Sequence, residues 1–297
     1  GGAMDLEARQ RGCSVYLPDR AIPMLPEVLS SGICSLVPDR DRLAMTVRLD
    51  VTPGGEITGE ECAAALIHSR GRLDYGGVAA ALQGDFAGLR AAYREHAEIL
   101  EHLHGVAAGL RRRRLSRGAL DLDLPEAEVV LDEDDPNRIR DMVQSRPDTP
   151  IKRAYALIEE LMIAANEAVG RTLQQAAVDT VWRVHPPPRF EALVDLSRWL
   201  ASYGVQADPE GLATERGMAR VLRQLADHPA ARPLSYLVLR TLSQAHYAVG
   251  NVGHFGLASQ SYLHFTSPIR RYPDLHVHRQ LKAALRRSGA PAGAPVE

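Results

Sequence analysis

The sequence predicts one large α+β domain, because a β-hairpin pattern near its start is followed by helical patterns that dominate the rest. The hairpin pattern lies at residues 42–69, and helical periodicity recurs from residue 85 onward. With 297 residues, 45% hydrophobic and 24% charged, the chain can bury an ample core. We expect a lead-in over residues 1–12, the domain over 13–287 and a flexible Gly-, Ala- and Pro-rich tail over 288–297.

The first half predicts extended chain, a hairpin and a long helix. Residues 13–37 are rich in proline and favour short extended pieces, with a short helix at 26–29. Residues 42–50 predict a strand, a Pro-Gly-Gly turn follows, and residues 56–69 predict the partner strand. Residues 85–114 place apolar side chains at near-helical spacing and predict a long helix.

The predicted long helix ends on four consecutive arginines, residues 111–114. Four cations suit the negative end of a helix dipole, and this interpretation is favoured. The alternative is a patch that contacts phosphate groups, since guanidinium groups bind phosphate oxygens well.

Two short strands are predicted next, over residues 119–124 and 127–131. The acidic run that follows, residues 132–137, resembles a metal site in its composition. Because Asp, Pro and Asn are turn formers, a hairpin turn is the favoured interpretation.

The second half is mostly helical in its patterns. Helices are predicted over residues 150–172, 189–203, 214–226 and 234–242, with a short strand at 182–184 that three prolines terminate. The final helix is predicted from Pro273 to about Arg286, and proline is well suited to a first helical turn.

Composition excludes several classes of protein. The formal net charge is −2, from 35 basic and 37 acidic side chains, so the chain is not a strongly basic nucleic-acid binder, although a local basic channel stays compatible. No apolar run approaches the roughly 18 residues of a membrane helix, and residues 1–9 lack signal-peptide character. We therefore expect no membrane partner. Cys13, Cys34 and Cys62 are too far apart for a Cys-x-x-Cys zinc pair. We interpret them as reduced thiols and expect a cytoplasmic protein.

Residues 251–279 carry the clearest chemical signal. A polar loop with the adjacent Arg270 and Arg271 runs into the final helix, whose first backbone amides are free to bind an anion. Arginine binds phosphate oxygens in bidentate geometry, so the segment predicts a phosphate ligand. The alternative is that both arginines pair with surface carboxylates. On these residues alone, a metabolic enzyme with a phosphate-bearing ligand is the supported function.

Four segments, in order along nearly the whole chain, resemble the ribonuclease II and R family. One such match is weak evidence, whereas four in order are specific. The segments are Ser14-Val15-Tyr16-Leu17-Pro18-Asp19-Arg20 with Ile22-Pro23-Met24-Leu25-Pro26 after it, Cys34-Ser35-Leu36, Leu157-Ile158-Glu159-Glu160-Leu161-Met162-Ile163-Ala164-Ala165-Asn166, and Gly253-His254-Phe255-Gly256-Leu257-Ala258 with His264-Phe265-Thr266-Ser267-Pro268-Ile269-Arg270-Arg271-Tyr272-Pro273-Asp274-Leu275.

This resemblance implies a fold and an activity. The fold is a ribonuclease-II-type catalytic domain, a twisted β-sheet wrapped by helices. The activity is hydrolysis of single-stranded RNA from its 3′ end to nucleoside 5′-monophosphates, with two divalent metals, usually Mg²⁺, that activate water. The alternative is a non-catalytic RNA-binding or regulatory protein on the same scaffold.

The resemblance also implies roles for aromatic and acidic residues. Tyr16 matches a tyrosine that stacks near the 3′-terminal nucleotide, and Tyr75 matches one near the scissile region; core tyrosines are the alternative in both cases. Glu159 matches a glutamate that holds the 3′-terminal ribose, where accepting from the 2′-hydroxyl favours RNA over DNA. Helical spacing places Glu160 about 100° from Glu159, as a solvated neighbour. The alternative is that both glutamates are surface charges.

The arginine loop receives its roles in the same way. Arg270 matches an arginine near the scissile phosphate, where it would neutralise developing negative charge. Arg271 is expected to shape the loop or contact an adjacent phosphate, and Ser267 to line the same pocket. His254 and His264 are not expected to bind metal, because carboxylates hold the metals of this family.

The sequence departs from the family in two ways. Leu122 stands where the family often has a phenylalanine that stacks on the bound bases, and leucine offers no π face. The family's aspartate cluster, a few dozen residues before the Tyr16 segment, has no counterpart in residues 1–20, and the flanking RNA-binding β-barrel domains have none either. We therefore expect a monomeric fragment of a larger nuclease, without metal ligands, that binds single-stranded RNA weakly and cleaves it poorly. The alternatives are that the upstream part is a separate or cleaved chain, or that a disordered region is missing from the sequence.

Overall fold

The structure, a computed structural model, describes residues 1–122, 124, 127–133, 135, 137–144 and 149–287. The expected tail over 288–297 lies outside the described residues, as do Asp123, Asp134 and Pro136 of the predicted strand and turn.

A long antiparallel hairpin organises the N-terminal part. Its elements are α1 (Ala3–Arg11), β1 (Val15–Tyr16), β2 (Ala21–Ile22), a π-helical turn (Val28–Ile33), β3 (Asp41–Val51) and β4 (Ile57–His68). Strands β3 and β4 pair antiparallel from Asp41 opposite His68 to Asp50 opposite Gly59, and a register shift precedes the last pair, Val51 opposite Ile57. The predicted hairpin is confirmed, because alternating side chains specify a strand pair well. The short helix expected at 26–29 is instead the π-helical turn.

The middle part differs most from prediction. Its elements are α2 (Tyr75–Ala81), α3 (Ala91–Glu95), α4 (Ala97–Arg117), β5 (Ala127–Leu131) and β6 (Ile139–Gln144). The helix predicted from residue 85 begins at Ala91, because Gly88 has a φ of +70° that a right-handed helix excludes. Helix α4 continues to Arg117 and ends at Gly118, which has a φ of +110°.

The strand predicted over 119–124 is wrong for its described residues. Leu120 donates its amide to the carbonyl of Gly256, and Leu120 and Leu122 pack against a helical core, so this stretch is a loop. Strand β5 is confirmed. Its antiparallel partner β6 makes the acidic run between them the connection of a hairpin, as the turn interpretation predicted.

The C-terminal half follows the predicted pattern closely. Its elements are α5 (Thr149–Gln175), β7 (Trp182–Val184), α6 (Phe190–Ser202), α7 (Pro209–Leu212), α8 (Glu215–Leu225), α9 (Ala231–Thr241), β8 (His246–Ala248), a 3₁₀ turn (Phe255–Leu257) and α10 (Tyr272–Arg287). The short elements α7 and β8 were not predicted.

The α+β class is confirmed. In the described part of the chain the strands pair as four two-stranded antiparallel sheets, which replace the single twisted sheet that was expected. One buried core joins α6, α8 and α9 around Leu196, Leu225 and Leu234. A second joins α5, α10 and the long hairpin around Leu173 and Leu281. Across the described ranges, no helix combines the length and apolar character needed to cross a bilayer.

Candidate functional site

A cavity of about 540 Å³ opens between α4, α5 and the loop that follows α4. Its wall includes Arg111 and Arg114 of α4, Leu122 of the loop, and Tyr155 and Glu159 of α5. Ligand pockets commonly have volumes of about 300–1,000 Å³, so the cavity suits a ligand of nucleotide size. Two of the predicted site residues, Leu122 and Glu159, therefore share one cavity.

The two adjacent glutamates of α5 have different environments. Glu160 is only 2% exposed and accepts from Arg114, at 3.0 Å from Nε and 2.5 Å from Nη2. The expectation that Glu160 is solvated was wrong, because α4 covers that side of α5. Glu159 is half-buried at the cavity wall, and no hydrogen bond or ion pair engages its carboxylate within the described ranges. Its oxygens are thus open to a ligand.

Ion pairing explains most of the arginine run on α4. Arg111 binds both carboxylate oxygens of Asp121, at 2.9 and 2.8 Å, and Arg113 lies 3.6 Å from Glu56. Burial acts to lower the pKa of Arg114, but hydrogen bonds and charge from Glu160 outweigh it and hold that pKa above its ordinary value. Arg111 and Arg114 are therefore held in the cavity wall by their carboxylate partners. Helix α4 extends to Arg117, so the arginine run does not end the helix.

Two stacked tyrosines adjoin the cavity. Tyr75 begins α2, which is capped by the Asp74 side chain accepting from the amide of Gly77. The Tyr75 ring stacks on Tyr155, with 3.8 Å between centroids and 17° between planes. Tyr75 is 38% exposed, which excludes the core-tyrosine alternative. Tyr155 was not among the predicted site residues, although it precedes Glu159 by one helical turn and so lies on the same face.

Tyr16 and the arginine loop form a second group of predicted residues. The amide of Ser14 donates to the carbonyl of Arg270 at 2.9 Å, and the amide of Tyr272 donates to the carbonyl of Gly12 at 2.8 Å. This pairing places β1 directly beside the loop. Tyr16 is 63% exposed, so it is not a core residue. The exposed Arg270 side chain has no ion pair with any residue that the structure describes.

Asp274 supports the arginine loop from beneath. It is fully buried, and its Oδ1 accepts from the Ser267 amide and from Arg271 Nη2, each at 2.7 Å. Arg271 therefore does pair with a carboxylate, but with a buried one rather than the surface carboxylate of the alternative interpretation. This contact leaves Arg270 as the arginine whose guanidinium faces outward.

The histidines of the loop belong to an aromatic cluster. Tyr262 contacts both His254 and His264 edge to face, with centroids 5.2 and 5.8 Å away. Burial, reinforced by nearby positive charge, lowers the pKa of each histidine to about 3. Both rings are consequently neutral at neutral pH, and His264 Nδ1 lies 2.7 Å from the Tyr247 hydroxyl.

Helix α5 connects the two groups of predicted residues. The buried Asn166 accepts from the amide of Phe265 at 2.9 Å and donates to the Tyr262 hydroxyl at 3.2 Å. Asn166 lies seven residues beyond Glu159, about 10 Å along the helix. Stacked nucleotides advance about 3.4 Å each, so about three of them cover this distance. The wall of the 540 Å³ cavity itself does not include Tyr16, Ser267, Arg270 or Arg271.

The acidic side chains near the arginine loop are engaged by protein partners. Asp5 is engaged by Arg279 at 2.6 Å and by Tyr272 at 3.1 Å, and Asp274 is engaged as described above. Among the residues that the structure describes, no three His, Cys, Asp or Glu side chains are grouped to hold a metal ion. The described residues therefore do not fit the Mg²⁺ site that the resemblance implies.

Known proteins resemble this chain in sequence and in structure. The family model described as RNB domain matches residues 1–287. Ribonuclease R of Escherichia coli is 40% identical over 294 residues, which cover 99% of this chain and 35% of that protein. Ribonuclease R of Thermotoga maritima is 39% identical, covering 97% of this chain and 40% of that protein. The chain thus spans between a third and a half of the length of these curated relatives.

A solved structure also resembles this chain along nearly its whole length. Mycoplasma genitalium RNase R in complex with ribose methylated single-stranded RNA superposes with a TM-score of 0.86 and 31% identity. The match covers 95% of this chain and 43% of that one.

Proposed function

Since this chain belongs to the RNB domain family, we propose that it forms the RNA-holding part of a 3′→5′ exoribonuclease. The proposed substrate is single-stranded RNA, from which nucleoside 5′-monophosphates are released. Support comes from the relatives named Ribonuclease R, from a solved relative that binds single-stranded RNA, and from a nucleotide-sized cavity with an open carboxylate.

In the proposed mechanism the 3′-terminal ribose binds at Glu159, whose carboxylate accepts from the 2′- and 3′-hydroxyls. Tyr16 contacts the bases without reading their sequence, and Tyr75 lies near the terminal nucleotide and the scissile region. Water attacks the last phosphodiester, the bond from phosphorus to the preceding O3′ breaks, and that oxygen takes up a proton. Arg270 offsets charge on the phosphate, and Ser267 and Arg271 hold the loop that carries it.

The remaining requirements concern the whole protein. A divalent ion, with Mg²⁺ the proposed one, would take its carboxylate ligands from elsewhere in the protein, since the described residues do not fit it. Flanking RNA-binding β-barrel domains are proposed because the chain covers only 35–40% of its relatives. We also propose a monomeric, cytoplasmic enzyme.

One observation carries this proposal: Glu159 presents an unengaged carboxylate inside a cavity that suits a nucleotide. The test compares binding of a ten-nucleotide RNA and a DNA of the same sequence by fluorescence anisotropy. We expect tighter binding of RNA, and we expect Glu159→Gln to reduce RNA affinity toward that of DNA. Glu191→Gln, an exposed change on α6, is the control that should leave both affinities unchanged. Equal binding of RNA and DNA by the unmodified chain would refute the proposal.

A further inference from the structure

One wall of the cavity is formed by a leucine side chain. Leu122 lines the cavity and packs against the core of α6, α8 and α9. A leucine side chain gives an apolar contact but no π face for a base. If bases are held in this cavity by stacking, another ring must supply the face.

Tyr155 is positioned to supply it. Its side chain lines the same cavity as Leu122 and Glu159. The ring is already stacked on Tyr75, at 3.8 Å and 17°, so its orientation is fixed before any ligand binds. A side chain that is ordered in advance loses less conformational entropy when a ligand binds to it.

The spacing between Tyr155 and Glu159 places both side chains on one face of α5. The two residues are four apart on α5, which brings their Cβ atoms to about 5–6 Å on one face of the helix. A ribose held at Glu159 therefore places its own base, or that of the adjacent nucleotide, within reach of the Tyr155 ring.

We propose that Tyr155 is the base-stacking residue of this cavity and takes over the role that Leu122 cannot perform. The proposal rests on the function proposed above. It assigns to Tyr155 the base of a 3′-terminal nucleotide, with the ribose at Glu159 and Tyr75 as the support behind the ring. Stacking accepts any base, because every base has a π face.

The test measures the affinity of the 297-residue chain for two RNAs. One is a ten-nucleotide RNA with a 3′-hydroxyl, and the other is identical except that its two 3′-terminal nucleotides lack bases. We expect Tyr155→Leu to weaken binding of the complete RNA about 5- to 150-fold, the equivalent of about 1–3 kcal/mol of stacking. On the abasic RNA the same change should have less than a twofold effect.

Three further variants serve as controls. Tyr155→Phe keeps the ring and should bind within about twofold of the unmodified chain. Adding Leu122→Phe to Tyr155→Leu should recover part of the lost affinity, because it returns a ring to the cavity. Tyr236→Leu removes an exposed tyrosine of α9 and should change neither affinity.

The outcomes separate this inference from the proposed function. If the unmodified chain does not distinguish RNA from DNA, the proposed function fails and the role of Tyr155 falls with it. If it distinguishes RNA from DNA but binds the complete and the abasic RNA equally, no base is stacked in the cavity and only the inference is overturned. If the unmodified chain prefers complete RNA but Tyr155→Leu weakens both RNAs by the same factor, the role of Tyr155 is structural and only the inference is overturned.

Discussion

Arg114 and Glu160 form a buried ion pair in which Nε and Nη2 of the arginine donate to the two carboxylate oxygens at 3.0 and 2.5 Å. The pair joins α4 to α5, the two helices between which the cavity opens. This geometry explains why the adjacent Glu159 and Glu160 have different environments. Glu160 holds the two helices together, whereas Glu159 stays open to a ligand.

Breaking this pair from one side should strongly destabilise the fold. Arg114→Met leaves the Glu160 carboxylate buried without its partner, which typically costs about 3–5 kcal/mol. Urea denaturation monitored by circular dichroism gives the free energy of unfolding. Arg140→Met is the control, because it breaks an exposed pair with Glu133 and should cost less than about 1 kcal/mol. Equal losses from the two variants would contradict the account.

Arg270 should contribute to RNA binding through one phosphate. Arg270→Met is expected to weaken binding of single-stranded RNA and to reduce the slope of log affinity against log salt by about 0.7. Anisotropy titrations between 50 and 200 mM salt measure that slope. An exposed arginine on α9, Arg240, provides the control through Arg240→Met. An unchanged slope in the Arg270 variant would argue against phosphate contact.

The histidines of the aromatic cluster should make stability depend on pH. In the folded chain His254 and His264 have a pKa of about 3, because burial disfavours their charged forms, whereas unfolded histidine titrates near 6.5. Below about pH 6.5 the unfolded chain binds more protons, so the stability present above that pH is lost as pH falls toward 3. The loss should reach at most about 1.4 kcal/mol per pH unit for each histidine.

Denaturation midpoints at pH 7, 5.5 and 4.5 measure this dependence. The His264→Gln variant removes one of the two buried titrating groups and should flatten the curve over that range. His102→Gln changes an exposed residue of α4 and is the control, which should leave the curve unchanged. A curve of the same steepness in all three proteins would mean that other groups cause the acid destabilisation.

Asn166 should couple the two halves of the site. Asn166→Ala removes the acceptor for the Phe265 amide and the donor to Tyr262, which leaves buried polar groups unpaired at a cost of about 1–3 kcal/mol. We expect weaker RNA binding and less effect of Arg270→Met in this background, because the loop is no longer fixed relative to Glu159. Additive losses in the double variant would show that Asn166 does not connect them.

The sequence predicted those features that depend on local pattern. The β3–β4 hairpin was predicted from alternation around a Pro-Gly-Gly turn, and helices α6, α8 and α9 from their apolar faces, because each pattern is complete within one segment. The break before Ala91 was missed, since only the backbone shows that Gly88 takes a positive φ.

Features that depend on distant partners could not be predicted. Helical spacing showed that Glu160 faces away from Glu159, but not that α4 lies on that side with Arg114, 46 residues earlier. The Tyr75–Tyr155 stack likewise joins residues from α2 and α5. Roles for Tyr16, Glu159 and Arg270 came from family resemblance, and they stay predictions.

Photocrosslinking tests the central claim most directly, namely that the 3′ end of an RNA strand lies between α5 and the arginine loop. The unmodified chain is crosslinked to a ten-nucleotide RNA with 4-thiouridine as its last residue, and the attached peptide is identified by mass spectrometry. We predict crosslinks within α5 around Tyr155 and Glu159, or at Tyr16 beside the loop. Crosslinks confined to α6, α8 and α9 would contradict the account.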